Sequence, residues 1–181
     1  SLAGRSGGEV ETRLIRRTNS QVRLMSFPDR AAEVAAIPAV PVEGPGIAHV
    51  CFQVADETNT YDRFLAAGAA HIGAEELVHL RPNNPVRYGY VKDGDGIITE
   101  IEQINLAEID LPTAPKSLYR TRHVSLSTPD VNRLKDFYSA FLGGQTPRHV
   151  GRVMKVSGDT IDSVSGLEGS KIEMAWVQTR N

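Results

Sequence analysis

The chain has 181 residues, 40% of them hydrophobic, with a formal net charge of −2. That is enough for one globular domain or two small ones, and so balanced a charge offers no phosphate-binding surface, so nucleic acid is not an expected partner. The only cysteine, Cys51, excludes an intrachain disulfide, no apolar run approaches the roughly 18 to 20 residues of a membrane span, and residues 1–8 lack a signal-peptide core, so the expectation is a cytoplasmic protein with no membrane partner.

The chain opens on two strand-like stretches, Glu9 to Asn19 and Gln21 to Phe27. The first resembles Lys171 to Asn181 at the other end, and Leu2-Ala-Gly4 echoes Leu167-Glu-Gly169. Residues 29–45 form a linker, bracketed by Pro28 and Pro45, with two further prolines between them. A strand then begins at Gly46-Ile-Ala-His49-Val50 and runs to Val54. Asp56 to Ala67 carries Tyr61, Phe64 and Leu65 at helical spacing, with Gly68 able to end the helix in a left-handed conformation. Three strands are predicted next, Ile72 to His79, Val86 to Lys92 and Ile97 to Ile104, with Asn83-Asn84-Pro85 and Asp93-Gly-Asp-Gly96 as turns. Residues 46–105 therefore read as a complete βαβββ module.

Residues 106–119 form a second linker. Tyr119-Arg-Thr-Arg-His123-Val124 then repeats the earlier histidine strand, placing His123 and His49 at equivalent positions. Thr128-Pro129-Asp130 predicts a cap with proline at the first helical position, and Val131, Leu134, Phe137, Tyr138 and Phe141 form the apolar stripe of a helix ending before Gly143-Gly144. Residues 120–181 thus start a third module that lacks its last strand, while 1–28 supply the C-terminal strands of a first module whose opening strand and helix are missing. The missing strand's counterpart is Gln21 to Phe27. The fold class is α+β, built of tandem βαβββ modules with incomplete modules at both ends. Open sheet edges in those incomplete modules predict a homodimer, strand exchange or a longer multi-module chain.

Strand alternation puts His49, Cys51 and Gln53 on one face and Val50, Phe52 and Val54 on the other, and His123, Ser125 and Ser127 repeat the polar face. The apolar face packs on the helix. The polar face must line a ligand pocket or an ion, because polar groups buried without partners cost on the order of 1 to 3 kcal/mol each. Glu100 and Glu102 share a face of the last strand and would repel unless a cation or an arginine sits between them. Arg23, at the place of a glutamate in the first unit, could supply that arginine and replace a metal. Cys51 reads as a small buried filler and Trp176 as core, while His149 and His71 have no partners at suggestive spacing.

These features resemble the vicinal oxygen chelate superfamily of glyoxalases, epimerases, extradiol dioxygenases and bleomycin or fosfomycin resistance proteins. The resemblance covers most of the chain. It rests on Gly46-Ile-Ala-His49-Val50, on Tyr90 to Glu100 with its Asp93-Gly-Asp-Gly96 turn, and on Arg122-His123-Val124 followed by Asp136-Phe-Tyr138 and Leu142-Gly-Gly144. It implies cupped, partly open mixed sheets of glyoxalase-like form and metal ligands at His49, Glu100 and His123. It also implies a divalent ion, Fe, Mn, Zn or Ni, with coordination positions left open for the oxygens of a small-molecule substrate. Glu100 and Tyr90 are the catalytic candidates, and Arg23, Cys51, Gln53 and Glu102 the pocket. Three activities follow: a metal-dependent lyase or isomerase of glyoxalase or epimerase type, an Fe(II) extradiol dioxygenase, or a non-catalytic resistance-type binding protein. For the dioxygenase, the histidine expected shortly before Tyr90 is missing, and His79 is the nearest candidate.

Overall fold

A computed structural model describes residues 8–17, 19–79, 81–108, 119–141 and 152–177. The fold is α+β. Its centre is a six-stranded mixed sheet in which β4 (Ala70–Ile72), β6 (Val86–Lys92), β7 (Ile98–Ile104), β3 (Gly46–Ala55) and β8 (Tyr119–Ser127) lie in that order, with β5 (Val78–His79) also paired to β6. β3 runs parallel to β7 and antiparallel to β8, so the two histidine strands are neighbours. Two two-stranded antiparallel sheets accompany this sheet: the hairpin of β1 (Glu11–Arg16) with β2 (Gln21–Ser26), and β9 (Met154–Ser157) with β10 (Lys171–Met174), which are joined through a helix. No helix among the described residues is long and apolar enough to cross a membrane.

Residues 46–104 follow the order β3, α2 (Thr60–Ala66), β4, β5, β6, β7. Tyr61 on α2 joins Val54, Val91 and Ile101 in the buried core, with Phe52, Phe64 and Leu65 packed against it, so the apolar face of β3 meets the helix as alternation requires. The helix is shorter than Asp56 to Ala67. Asp56–Thr58 forms a 3-10 turn and Asn59 takes a left-handed conformation (φ 47°), which a short polar side chain tolerates and which interrupts the helical run. Gln103 of β7 then caps α2, accepting the Tyr61 amide at 2.8 Å and donating to Asp56, which also pairs with Arg87.

The expected strand Ile72 to His79 is broken into β4 and β5. Gly73 (φ 70°) sits where helix α4 (Asp159–Ser165) docks, and the Ala74 amide donates to the Ser163 carbonyl at 2.7 Å. A Cβ at Gly73 would overlap that same carbonyl oxygen, so only glycine allows the approach. The linker 29–45 holds a short helix, α1 (Ala31–Ala35). Helix α3 (Val131–Phe141) starts two residues later than the proline cap implied. Asp130 caps it, accepting the Arg133 amide at 2.9 Å, and Pro129 precedes the cap. Gly143-Gly144, His149 and Leu2-Ala-Gly4 lie outside the described residues, as do most of the 106–119 linker and the chain after Val177.

Candidate metal centre

Three adjacent strands build one cluster. His49 on β3, Glu100 on β7 and His123 on β8 meet on the polar face of the sheet, each strand delivering one ligand type. His49 Nε2 lies 2.8 Å from Glu100 Oε2, His123 Nε2 lies 3.2 Å from the same oxygen, and the two Nε2 atoms are 3.2 Å apart. Ligand bonds of about 2.1 Å at right angles to one another give edges of about 3 Å, so this triangle matches one face of an octahedron about a divalent ion. Among the described residues neither Nδ1 has a hydrogen-bond partner, which leaves each ring able to carry its proton there and present the Nε2 lone pair to the centre. These residues could hold a metal ion. Cys51, Glu102 and His123 form a second possible donor set that shares His123.

The surroundings keep Glu100 charged. Burial alone would raise its carboxyl, but hydrogen bonds from His123 and His49 and their charge outweigh this and hold it at about 2. Tyr90 faces Glu100 across the β6–β7 ladder and sets its ring edge-on to His49 with centroids 5.0 Å apart. Burial and the Glu100 charge push the Tyr90 phenol well above its usual range, so it stays a donor. Cys51, fully buried and opposite Glu100 in the β3–β7 register, is raised by burial and by both carboxylates, so it remains a thiol. Glu102 behaves unlike its neighbour: burial and the Glu100 charge raise it, opposed by the Gln53 amide at 2.8 Å and by Arg122 at 3.9 Å.

The candidate ligands converge with Tyr90, Cys51, Gln53 and Glu102 around them. Arg23 does not join them: it is exposed on β2, paired with Leu14 in the hairpin, and the arginine beside Glu102 is Arg122. His79 is also elsewhere, exposed at the end of β5 against the Asn84 carbonyl at 2.8 Å. Alternation alone did not reveal Arg120 and Arg122. Cys51 pairs with His123 but Phe52 pairs with Thr121, so Arg122 is an extra, bulged residue on β8. The bulge shifts the strand's parity, which lets Arg122 and His123 serve the same site and brings Arg120 opposite Gln53, to whose side-chain oxygen it donates at 2.5 Å. Trp176, expected in the core, is instead a half-buried wall of the site, edge-on to His123 (centroids 4.9 Å apart) and under the Arg122 guanidinium at 5.5 Å. No protein-family model, curated protein or solved structure matches the chain.

Proposed function

We propose that this chain is a divalent-metal-dependent enzyme of the vicinal oxygen chelate type, acting on a small substrate with two adjacent oxygens as a lyase or isomerase. The observation that carries this reading is the convergence of His49, Glu100 and His123 in a triangle of ligand size, on a face where Glu102 is raised and two residues away. An Fe, Mn, Zn or Ni ion held by these three would polarise the substrate's paired oxygens and favour loss of the neighbouring proton. The protein's own groups do the rest. Glu102, raised by burial and by Glu100, is suited to take that proton and return it, while Gln53 and Arg122 fix its orientation. Tyr90, opposite Glu100 in the ladder, packs edge-on against the His49 ring and holds it in place, and Trp176 shields His123 from water.

A second reading, an Fe(II) ring-cleaving dioxygenase, is favoured by the donor set itself, because two imidazoles and one carboxylate on one face leave positions for both a diol and O₂. One experiment addresses both. Metal content is measured by mass spectrometry on protein purified without chelator, for the parent, His49→Ala and Glu102→Gln, followed by solvent-deuterium exchange into an α-hydroxy ketone and oxygen uptake with catechol. The proposal expects near-stoichiometric metal in the parent, loss in His49→Ala, and retained metal with at least about 100-fold slower exchange in Glu102→Gln. Oxygen uptake without exchange would replace it with the second reading; no metal after reloading would overturn both.

A further inference from the structure

The opposite side of the central sheet carries a groove of about 360 Å³, within the range of small-ligand sites. Phe52 of β3, Phe64 of α2 and Tyr119 of β8 give it aromatic walls, and Arg17, Arg63 and Arg120 surround it. None of these three arginines forms an ion pair among the described residues. Arg63 donates to the Tyr119 hydroxyl at 3.5 Å, Arg120 is oriented by Gln53, and Arg17 lies 5.8 Å from the ring centres of both Phe52 and Tyr119. Three guanidiniums about one concave aromatic surface, in a chain of net charge −2, form a local cationic site with no carboxylate paired to it among the described residues. Guanidinium groups present paired donors that match carboxylate and phosphate oxygens, and Phe52, Phe64 and Tyr119 offer faces and edges to a flat ring.

We infer that this groove binds an aryl anion, a ring bearing a phosphate or carboxylate, with the ring against Phe52, Phe64 and Tyr119 and the anion between Arg63 and Arg120. Its aromatic walls lie on the α2 side of the sheet, away from the metal centre, while Arg120, bonded to Gln53 of the polar face, is the residue it shares with that side. The fixed Arg120 guanidinium loses less freedom on binding than a solvated one would, which favours the anion at its end of the groove.

Phenyl phosphate is the probe, titrated by calorimetry and followed by backbone amide shifts in the full chain. Binding should be at least about 10-fold tighter than that of inorganic phosphate or of phenol, and Arg63→Gln and Arg120→Gln should each weaken it about 10-fold or more, with thermal midpoints close to the parent's. Arg63 is exposed on a helix, so its variant tests the anion contact without threatening the fold. Binding should survive chelator and His49→Ala. Equal affinity for phosphate alone, shifts confined to the metal face, or affinity unchanged in Arg63→Gln would each overturn the inference.

Discussion

The complete unit at 46–105 and the segments on either side carry similar sequence patterns but reach different physical ends. Of the buried apolar residues, only Val164 lies outside 46–105 among the described residues. The β1–β2 hairpin exposes Leu14, Ile15, Leu24 and Met25 at 42 to 53%, and α3 exposes Phe137 and Phe141 at 61 and 74%. Alternation and helical spacing specify an element, but burial needs a second layer to close against, and only the complete unit has its helix and its strands together. The candidate centre straddles this difference. His49 and Glu100 stand on the well-buried unit, whereas His123 and Trp176 belong to the segment whose helix still shows its apolar stripe to solvent.

The sharpest test of the comparison is a pair of truncations. Ile101 is fully buried under α2, so Ile101→Ala should cost about 2 to 5 kcal/mol through lost burial and a residual cavity. Leu14→Ala, on the hairpin and 48% exposed, should cost about 0.5 kcal/mol. Urea unfolding midpoints at constant slope measure both. Comparable losses would mean that the hairpin is buried in solution and would break the distinction between the two regions.

Much of the central unit was legible because its signals are local. Val86–Lys92 alternates between two turns, Asn83 supplies a left-handed residue (φ 61°), and Asp93 accepts the Asp95 and Ile97 amides, so β6 has the expected bounds and β7 starts one residue after the expected Ile97. His49, Glu100 and His123 were legible as positions, since two copies of one strand each offer a histidine. Their meeting depended on the parallel β3–β7 and antiparallel β3–β8 pairings. What stayed hidden had distant causes. The break after Ile72 is imposed by α4, nearly half the chain away. The reach of Arg122 comes from a bulge, and no alternation rule announces an extra residue. Arg23 looked like the charge partner of the glutamates because the repeat aligned it with them, yet a two-stranded hairpin outside the main sheet does not carry it there.

Acid unfolding sharpens the comparison at the site itself. In chelated protein the Glu100 carboxyl is held at about 2 against an ordinary 4.5, so its contribution is fully present above 4.5 and is lost as pH falls from there toward 2. The contribution is on the order of 3 kcal/mol. Glu102 has the opposite sign: raised on folding, its ionisation costs stability as pH rises, so Glu102→Gln should stabilise the metal-free protein at neutral pH. Urea unfolding between pH 2 and 7 should show a steep acid limb in the parent that flattens in Glu100→Gln. A limb unchanged in that variant would assign the acid sensitivity to carboxylates of the flanking segments, such as Asp162, which its Ser170 and Gly169 amide bonds also hold low.

A more local effect tests how the two regions are joined. Gly73 of the central unit meets the α4 backbone, and α4 leads through β10 to Trp176 at the candidate centre. Alanine there meets both a positive φ and the Ser163 and Val164 carbonyl oxygens, backbone atoms that cannot swing aside as a side chain would. The expected cost is about 1 to 3 kcal/mol, with α4 pushed off rather than the central core unfolded. Because Trp176 is the only tryptophan, its emission reports that displacement directly: it should shift to the red in native Gly73→Ala as the ring leaves His123 and Arg122 for water. Lost stability with unchanged emission would mean that Trp176 is held from β8 alone, and that the union of the two regions at the centre does not depend on the α4 contact.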